Sequence, residues 1–316
     1  PDCLSVRGIA RDLAAAGLGK LKQLKVTKIP GNYKSPKQWK KDFSKNDSHI
    51  CPGVVGRYFK NVKNCESPQW LQLRLKAIGL RPISTLVDIT NYITNDLGRP
   101  LHVYDGDKLN GDLTMRLAKE NEKCLTLDEI EYKCSADMVV ISDDIKLHGI
   151  GGVMGGLDSG CNLDTKNVFL EVALFDPISI TKTGRKLNVQ SDARYRFERG
   201  IDSESINWGV DVASKMILDI CGGECSNIVS TEINKIDQKI IQFNIEKVKS
   251  IGGIDIPIND QVKILSDLEF TVKKINELKN VIRKALKCSK PVVINVEVDP
   301  NAIYSFRKDS FKHREQ

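Results

Sequence analysis

Residues 167–177 read NVFLEVALFDP. The run is apolar and rich in strand-forming side chains, so it predicts a β-strand. Alternation places Leu170 and Val172 on one face and Phe169, Glu171 and Ala173 on the other. A carboxylate among such neighbours is costly unless it is hydrogen-bonded or solvated. Two readings of Glu171 stand side by side: an ordinary half-exposed strand position, or an acceptor for a bound ligand.

Further segments extend this pattern. CPGVVGRYFKNV (51–62) and MVVIS (138–142) read as strands, and STLVDITNYI (84–93) is a third run rich in β-branched residues. SPQWLQLRLKAIG (67–79) predicts a helix with Ser67 as N-cap, Pro68 at the first helical position, Trp70/Leu71, Leu75 and Ile78 as its apolar stripe, and Gly79 as its stop. SESINWGVDVASKMILDI (203–220) predicts a second, with Trp208, Val212, Met216 and Ile220 on one face. Strands and helices mixed in this way, with glycine-rich turns between them, define an α+β domain over 49–230.

On the N-terminal side, SVRGIARDLAAAGL (5–18) spaces Val6, Ile9, Leu13 and Ala14 as a helix capped by Ser5. The lysine-rich, aperiodic stretch after it reads as a solvated linker, and 1–48 is set apart from the α+β domain. On the C-terminal side, residues 243–274 predict strand, helix, turn, helix and strand, the second helix carrying Val262, Ile264, Leu265 and Leu268. This is a small winged-helix-like unit, partial over 231–275. Residues 276–316 predict a helix (ELKNVIRKALKCSK) and then a buried strand (PVVINVEVDP).

Composition narrows the function classes. With 316 residues there is room for two or three domains. No run approaches the ~20 apolar residues of a membrane helix, and the N-terminus shows no signal-peptide pattern. The chain opens PDCLSVRG without an initiator methionine, as expected of a fragment. Its nine cysteines are odd in number and scattered, which suits reduced thiols. CGGEC (Cys221, Cys225) lacks the second pair that a zinc site needs, so no metal site is expected. Most of the formal charge of +7 lies beyond Asn276, so net charge argues little for nucleic acid.

Three motifs remain. GIGGVMGGLDSG (149–160) lacks both the Lys-Ser/Thr ending of a Walker loop and a helix after it, so it is not a phosphate cradle. Its glycines at 149, 151, 152, 155 and 156 suit either tight turns or a backbone wall where a Cβ would intrude on a ligand. His102 in GRPLHVYD has no nucleophile at triad spacing. SDARYRFERGID (191–202) is dense in charge and carries Gly200 near its end.

In their order and separation, RLKAIGLRPISTLVDITNYITNDLGRPLHVYDGDKL, GIGGVMGGLDS, NVFLEVALFDPISI and SDARYRFERGID resemble the editing domain of the bacterial phenylalanyl-tRNA synthetase β subunit. DCLSVRGIARDLAA is similar to the end of that family's split N-terminal domain, and 240–275 to the start of its next small helical domain. The resemblance implies hydrolysis of tyrosine mistakenly esterified to tRNA(Phe). It implies Glu171 as acceptor for the tyrosine hydroxyl. Thr90, Asn91 and His102 are placed near the ester and terminal ribose, Gly152 and Gly155 in the pocket wall, and Ser191 and Ala193 beside the substrate. The implied chemistry is water attack with positioning by Asn91 and His102, with no assigned general base and no cofactor for editing.

The resemblance also implies ATP and Mg²⁺ for the whole synthetase, with no motif for them here. The implied partners are tRNA(Phe) and an α subunit, in an assembly of two α and two β, with a cytoplasmic location and no membrane. Arg99 and Gly151 stand where the family more often has Gln and Ala. The last forty or so residues instead resemble the C-terminus of acetolactate-synthase-like thiamine-diphosphate enzymes. The cofactor motifs of those enzymes are missing, so no such activity is expected, and a joined reading frame near 275 is the simplest account. A non-catalytic tRNA-binding or scaffolding module is the alternative function.

Overall fold

The computed structural model describes residues 2–234, 240–274 and 292–295. The chain divides into two compact units, Pro1–Ile9 with Gln23–Ile236, and Ala10–Lys22 with Asp237–Gln316.

At the centre of the first unit is an antiparallel sheet. Its strands are β2 (Gly53–Lys60), β3 (His102–Asp105), β10 (Val168–Leu174), β11 (Glu224–Cys225) and β12 (Val229–Ser230), in the order β11-β2-β10-β3 with β12 also on β2. The strand NVFLEVAL is thus flanked on both edges: Glu171 stands opposite Gly56 on β2 and opposite His102 on β3. Its two faces feed two different cores. Phe169 and Ala173 pack with Trp39, Tyr104, Met115, Val140 and Ile150, whereas Leu170 and Val172 pack with Leu71, Leu86, Ile89, Val210 and Ile217. Sequence alternation assigns the faces correctly. Glu171, however, is only 7% exposed, so the half-exposed reading is corrected: a strand with a core on each side has no solvent face.

The Phe169 face is covered by a second sheet, order β1-β4-β7-β8-β9: β1 (Trp39–Asp42), β4 (Leu113–Leu117), β7 (Val139–Ser142), β8 (Leu147–Ile150) and β9 (Met154–Gly155). Only β1 and β4 run parallel; the other pairs of this sheet are antiparallel. A separate hairpin joins β5 (Glu122–Leu125) to β6 (Glu131–Cys134).

The Leu170 face is covered by helices α2 (Gln69–Ala77), α3 (Thr85–Leu97) and α6 (Ser205–Cys221). Here four expectations change. STLVDITNYI is a helix, not a strand: Leu86, Ile89 and Ile93, all wholly buried, recur at helical spacing, and burial of ~1.5–3 kcal/mol each outweighs β-branched propensity. Ser67 does not cap α2, because its hydroxyl is committed to Asp88 Oδ2 on α3 at 2.5 Å, and Pro68 takes the cap position. Of the stripe expected on α2, Leu71 and Leu75 are buried while Trp70 and Ile78 are exposed. On α6 the buried stripe is Ile206, Val210, Ala213, Ile217 and Cys221, and the expected Trp208, Val212, Met216 and Ile220 flank it.

Two further helices, α4 (Pro177–Leu187) and α5 (Asp192–Phe197), come after β10. Near the N-terminus, α1 (Val6–Ala15) is capped as expected, Ser5 Oγ accepting from Gly8 N at 2.9 Å, but its Val6, Ile9 and Leu13 are exposed.

In the second unit β13 (Ile241–Phe243), α7 (Glu246–Gly252), α8 (Ile258–Asp267) and β14 (Thr271–Lys274) keep the expected order. β15 (Val292–Asn295), from the segment PVVINVEVDP, runs parallel between β13 and β14. The helix expected over ELKNVIRKALKCSK, the expected junction near 275 and the residues after 295 lie outside the described residues.

Candidate active site

A cavity of about 340 Å³ opens beside β3 and β10, between α3, α5 and the glycine loop that joins β8 to β9. All eight residues expected at a site line it: Thr90 and Asn91 from α3, His102 from β3, Gly152 from the loop and Gly155 from β9 directly after it, Glu171 from β10, and Ser191 and Ala193 at the start of α5. They come from five chain segments spread over about a hundred residues, and sheet register is what joins the central pair, since Glu171 and His102 are cross-strand partners.

Glu171 is the carboxylate set into the strand floor of the cavity. Tyr104, two residues after His102 and therefore on the same face, donates its phenol hydroxyl to Glu171 Oε2. Burial pushes the Glu171 carboxyl up to about 7, against the opposing effects of the Tyr104 hydrogen bond and the Arg99 charge. Arg99 is fully buried, donating to Ala173 O at 2.5 Å and Pro100 O at 3.1 Å. Burial pulls it down to about 9, so it is still cationic at neutral pH. Sequence reading does not single out Tyr104, although its two-residue offset from His102 is a signal for it. Arg99 stands out in the sequence only as a departure from the resemblance.

His102 is held with its ring 4.4 Å from the Tyr104 ring, edge to face. Burial, then the neighbouring His148, pulls its pKa down to about 4, so the ring is neutral at pH 7. Its Nε2 is buried and has no hydrogen-bond partner among the described residues. His148 Nε2 itself lies 2.7 Å from Asp143 Oδ2.

The glycine wall has a reason within the protein itself. A Cβ on Gly155 would lie 2.4 Å from His102 Cε1 and 2.9 Å from Nε2; one on Gly152, whose φ is +66°, would meet Ile180 Cδ1 at 2.7 Å and Phe175 Cδ2 at 2.9 Å. The missing methyl groups would strike neighbouring side chains of the protein. Their absence lets the loop backbone close down on the imidazole and on the core beneath.

Ser191 caps α5, accepting from Arg194 N at 3.0 Å, and donates to Val153 O at 2.6 Å. Its hydroxyl is therefore spent tying α5 to the glycine loop, which sets Ala193 against the cavity. The arginines behind it hold the same helix. Arg194 pairs with Glu198 and donates to Val189 O, and Arg196 reaches Asp192, Leu4 O and Asn95 Oδ1. Arg199 pairs with Glu198 and lies over the Tyr195 ring. Thr90 Oγ1 donates to Val87 O at 2.8 Å, keeping lone pairs for a donor, and Asn91 is half-buried beside it. Chemically the site offers one strong acceptor at its floor, a neutral imidazole, an amide and a hydroxyl at its rim, and apolar walls. No helix among the described residues is long and apolar enough to cross a membrane.

The family model described as B3/4 domain matches residues 50–222, which contain every residue named above as an expected site residue. The chain is 48% identical over 271 residues to a phenylalanine–tRNA ligase β subunit of Paramagnetospirillum magneticum, covering 86% of this chain and 34% of that protein. It is 47% identical over 281 residues to the corresponding subunit of Mesorhizobium japonicum, covering 89% and 34%. The chain thus spans about a third of the length of these curated relatives. A solved N-terminal fragment of the phenylalanyl-tRNA synthetase β subunit from Pyrococcus horikoshii is similar at 14% identity and a TM-score of 0.44, over 85% of this chain and 73% of that one.

Proposed function

The chain belongs to the B3/4 domain family, and from that premise we propose that its cavity hydrolyses the ester of tyrosine wrongly attached to tRNA(Phe), as part of a phenylalanine–tRNA ligase β subunit. The observation that carries the reading is the buried Glu171 carboxylate at the cavity floor, with one oxygen held by Tyr104.

Phenylalanine and tyrosine differ by a single hydroxyl. A pocket that merely fits the ring separates them weakly, whereas one that must pair a buried acceptor separates them well. A phenylalanine side chain would leave the carboxylate unpaired, at roughly 1–3 kcal/mol, or about 5- to 150-fold in rate. The cavity volume lies within the range of small-molecule sites, roughly 300–1,000 Å³.

In this reading the tyrosine ring lies along the glycine wall with its hydroxyl on Glu171, and the ester sits towards Asn91, Thr90 and His102. Water adds to the ester carbonyl and the bond to the ribose oxygen breaks, releasing tyrosine and the free tRNA end. Asn91 and the neutral His102 orient the water and the ribose hydroxyls, so that geometry, not a protein nucleophile, lowers the barrier. The tRNA, the α subunit, and the ATP and Mg²⁺ of aminoacylation belong to the proposed whole enzyme, and the segment 49–230 carries the editing step within it.

Deacylation of preformed Tyr-tRNA(Phe) and Phe-tRNA(Phe) by wild type and Glu171→Ala tests this. The substitution is expected to bring the two rates together. Unchanged selectivity removes Glu171 from the role, and no deacylation by wild type favours a non-catalytic tRNA-binding module.

A further inference from the structure

We propose that Tyr104 is a positioning residue for specificity: its phenol holds Glu171 as an acceptor-only carboxylate and leaves Oε1 for the ligand's donor. The inference rests on the functional reading above and adds to it the group that sets the acceptor's state.

The two oxygens of Glu171 are placed differently. Oε2 takes the Tyr104 hydroxyl, whereas Oε1 receives no hydrogen bond among the described residues, and Glu171 lines the cavity. A neutral carboxyl group is both donor and acceptor and would tolerate several ligands; an ionised one accepts only. Which form is present therefore decides what the floor of the cavity reads.

The groups facing Glu171 are few. Arg99 lies towards the end of β10, His102 and Tyr104 stand on β3, and Cys51 precedes β2. His148, on β8, sits beyond Tyr104, 6.4 Å between rings, and is paired with Asp143. His102 is neutral, and burial holds the Cys51 thiol protonated at about 12. Arg99 spends two of its nitrogens on backbone carbonyls. Among the described residues, Tyr104 is thus the one side chain that donates a hydrogen bond to the carboxylate. It is also locked as a donor, since burial and then the Glu171 charge raise its own pKa well above the ordinary phenol value. Its ring is wedged between Trp39 and His102 at 6.2 and 4.4 Å between centroids, which fixes where the hydroxyl points.

Tyr104→Phe keeps the ring and removes the donor. With a charge-assisted hydrogen bond gone, the Glu171 titration is expected to move up by about one to two pH units. At pH 7 the ionised fraction then falls about fivefold or more, and preference for the tyrosine ester falls with it.

Two readouts separate this inference from the functional reading. The first is the pH midpoint of the Glu171 carboxyl C=O stretch in the infrared, assigned by its loss in Glu171→Gln and followed in wild type and Tyr104→Phe. The second is the Tyr-tRNA(Phe) to Phe-tRNA(Phe) deacylation ratio across the same pH range. A midpoint displaced upward, with the ratio falling at pH 7, supports the role of Tyr104; an unchanged midpoint overturns it. A displaced midpoint in a protein that deacylates neither ester supports the pairing and overturns the hydrolase reading instead. Glu171→Asp, which draws the carboxylate back from the phenol without touching Tyr104, is expected to shift the midpoint in the same direction. It serves as the second test if Tyr104→Phe does not fold.

Discussion

Replacing Gly155 with alanine should disable the site without unfolding the protein. The added Cβ would sit 2.4 Å from His102 Cε1 and 2.9 Å from Nε2, where ordinary contact begins near 3.4 Å, so the imidazole must retreat by about 1 Å. It has little room to do so, because its other side is stacked edge to face on Tyr104 at 4.4 Å, and Tyr104 is tied to Glu171. Leu127 Cδ1, the third atom near the new methyl at 3.1 Å, belongs to a more exposed side chain and can yield. Overpacking of this kind costs about 1–3 kcal/mol of stability. A misplacement near 1 Å in a positioning group lowers rate by about 100-fold. Urea melts and deacylation of Tyr-tRNA(Phe) measure the two effects, with Gly19→Ala, whose Cβ meets nothing within 4 Å, as control. A Gly155→Ala protein that hydrolyses the ester at the wild-type rate would refute the claim that the glycine exists to seat His102.

The same geometry carries two further outcomes. Glu171 has its folded pKa raised from 4.5 to about 7, so the folded state holds a proton that the unfolded state releases, and wild type loses stability as pH rises across that window. Glu171→Gln should therefore gain up to about 3 kcal/mol on wild type between pH 4.5 and 7. Melts at about pH 5 and pH 8 check this, and a pH-independent difference would contradict the burial account. Ser191→Ala should cost about 1–2 kcal/mol and lower deacylation, because the hydroxyl both caps α5 and donates to Val153 O. Ser191→Thr, which keeps the hydroxyl, should restore both in the same melts and rate assays.

Period-two and short-range signals are legible in this sequence, and long-range partners are not. Alternation along residues 168–174 assigns each side chain of β10 to the right face, but it cannot say that both faces are covered, so it leaves the burial of Glu171 hidden. The run 84–93 looks like a strand because its β-branched residues are conspicuous. The Leu86, Ile89 and Ile93 spacing that makes it a helix is spread more thinly. Ser67 has the form of an N-cap, and only the fold reveals that Asp88, twenty-one residues on, takes its hydroxyl. The eight site residues come from the motif resemblance, not from spacing. No local pattern relates Glu171 to His102, which meet only through the β3–β10 register. Tyr104 has a local relation to His102, yet its hydrogen bond to Glu171 depends on that register as well.

The most direct test of the account is the wild-type chain's own preference. At about pH 8, where Glu171 is ionised, equal concentrations of Tyr-tRNA(Phe) and Phe-tRNA(Phe) are incubated with the protein and the loss of each ester is measured. The account predicts that the tyrosine ester is hydrolysed faster, by roughly fivefold or more, the value of one buried acceptor left unpaired by phenylalanine. Equal rates for the two esters, or faster loss of the phenylalanine ester, would contradict it.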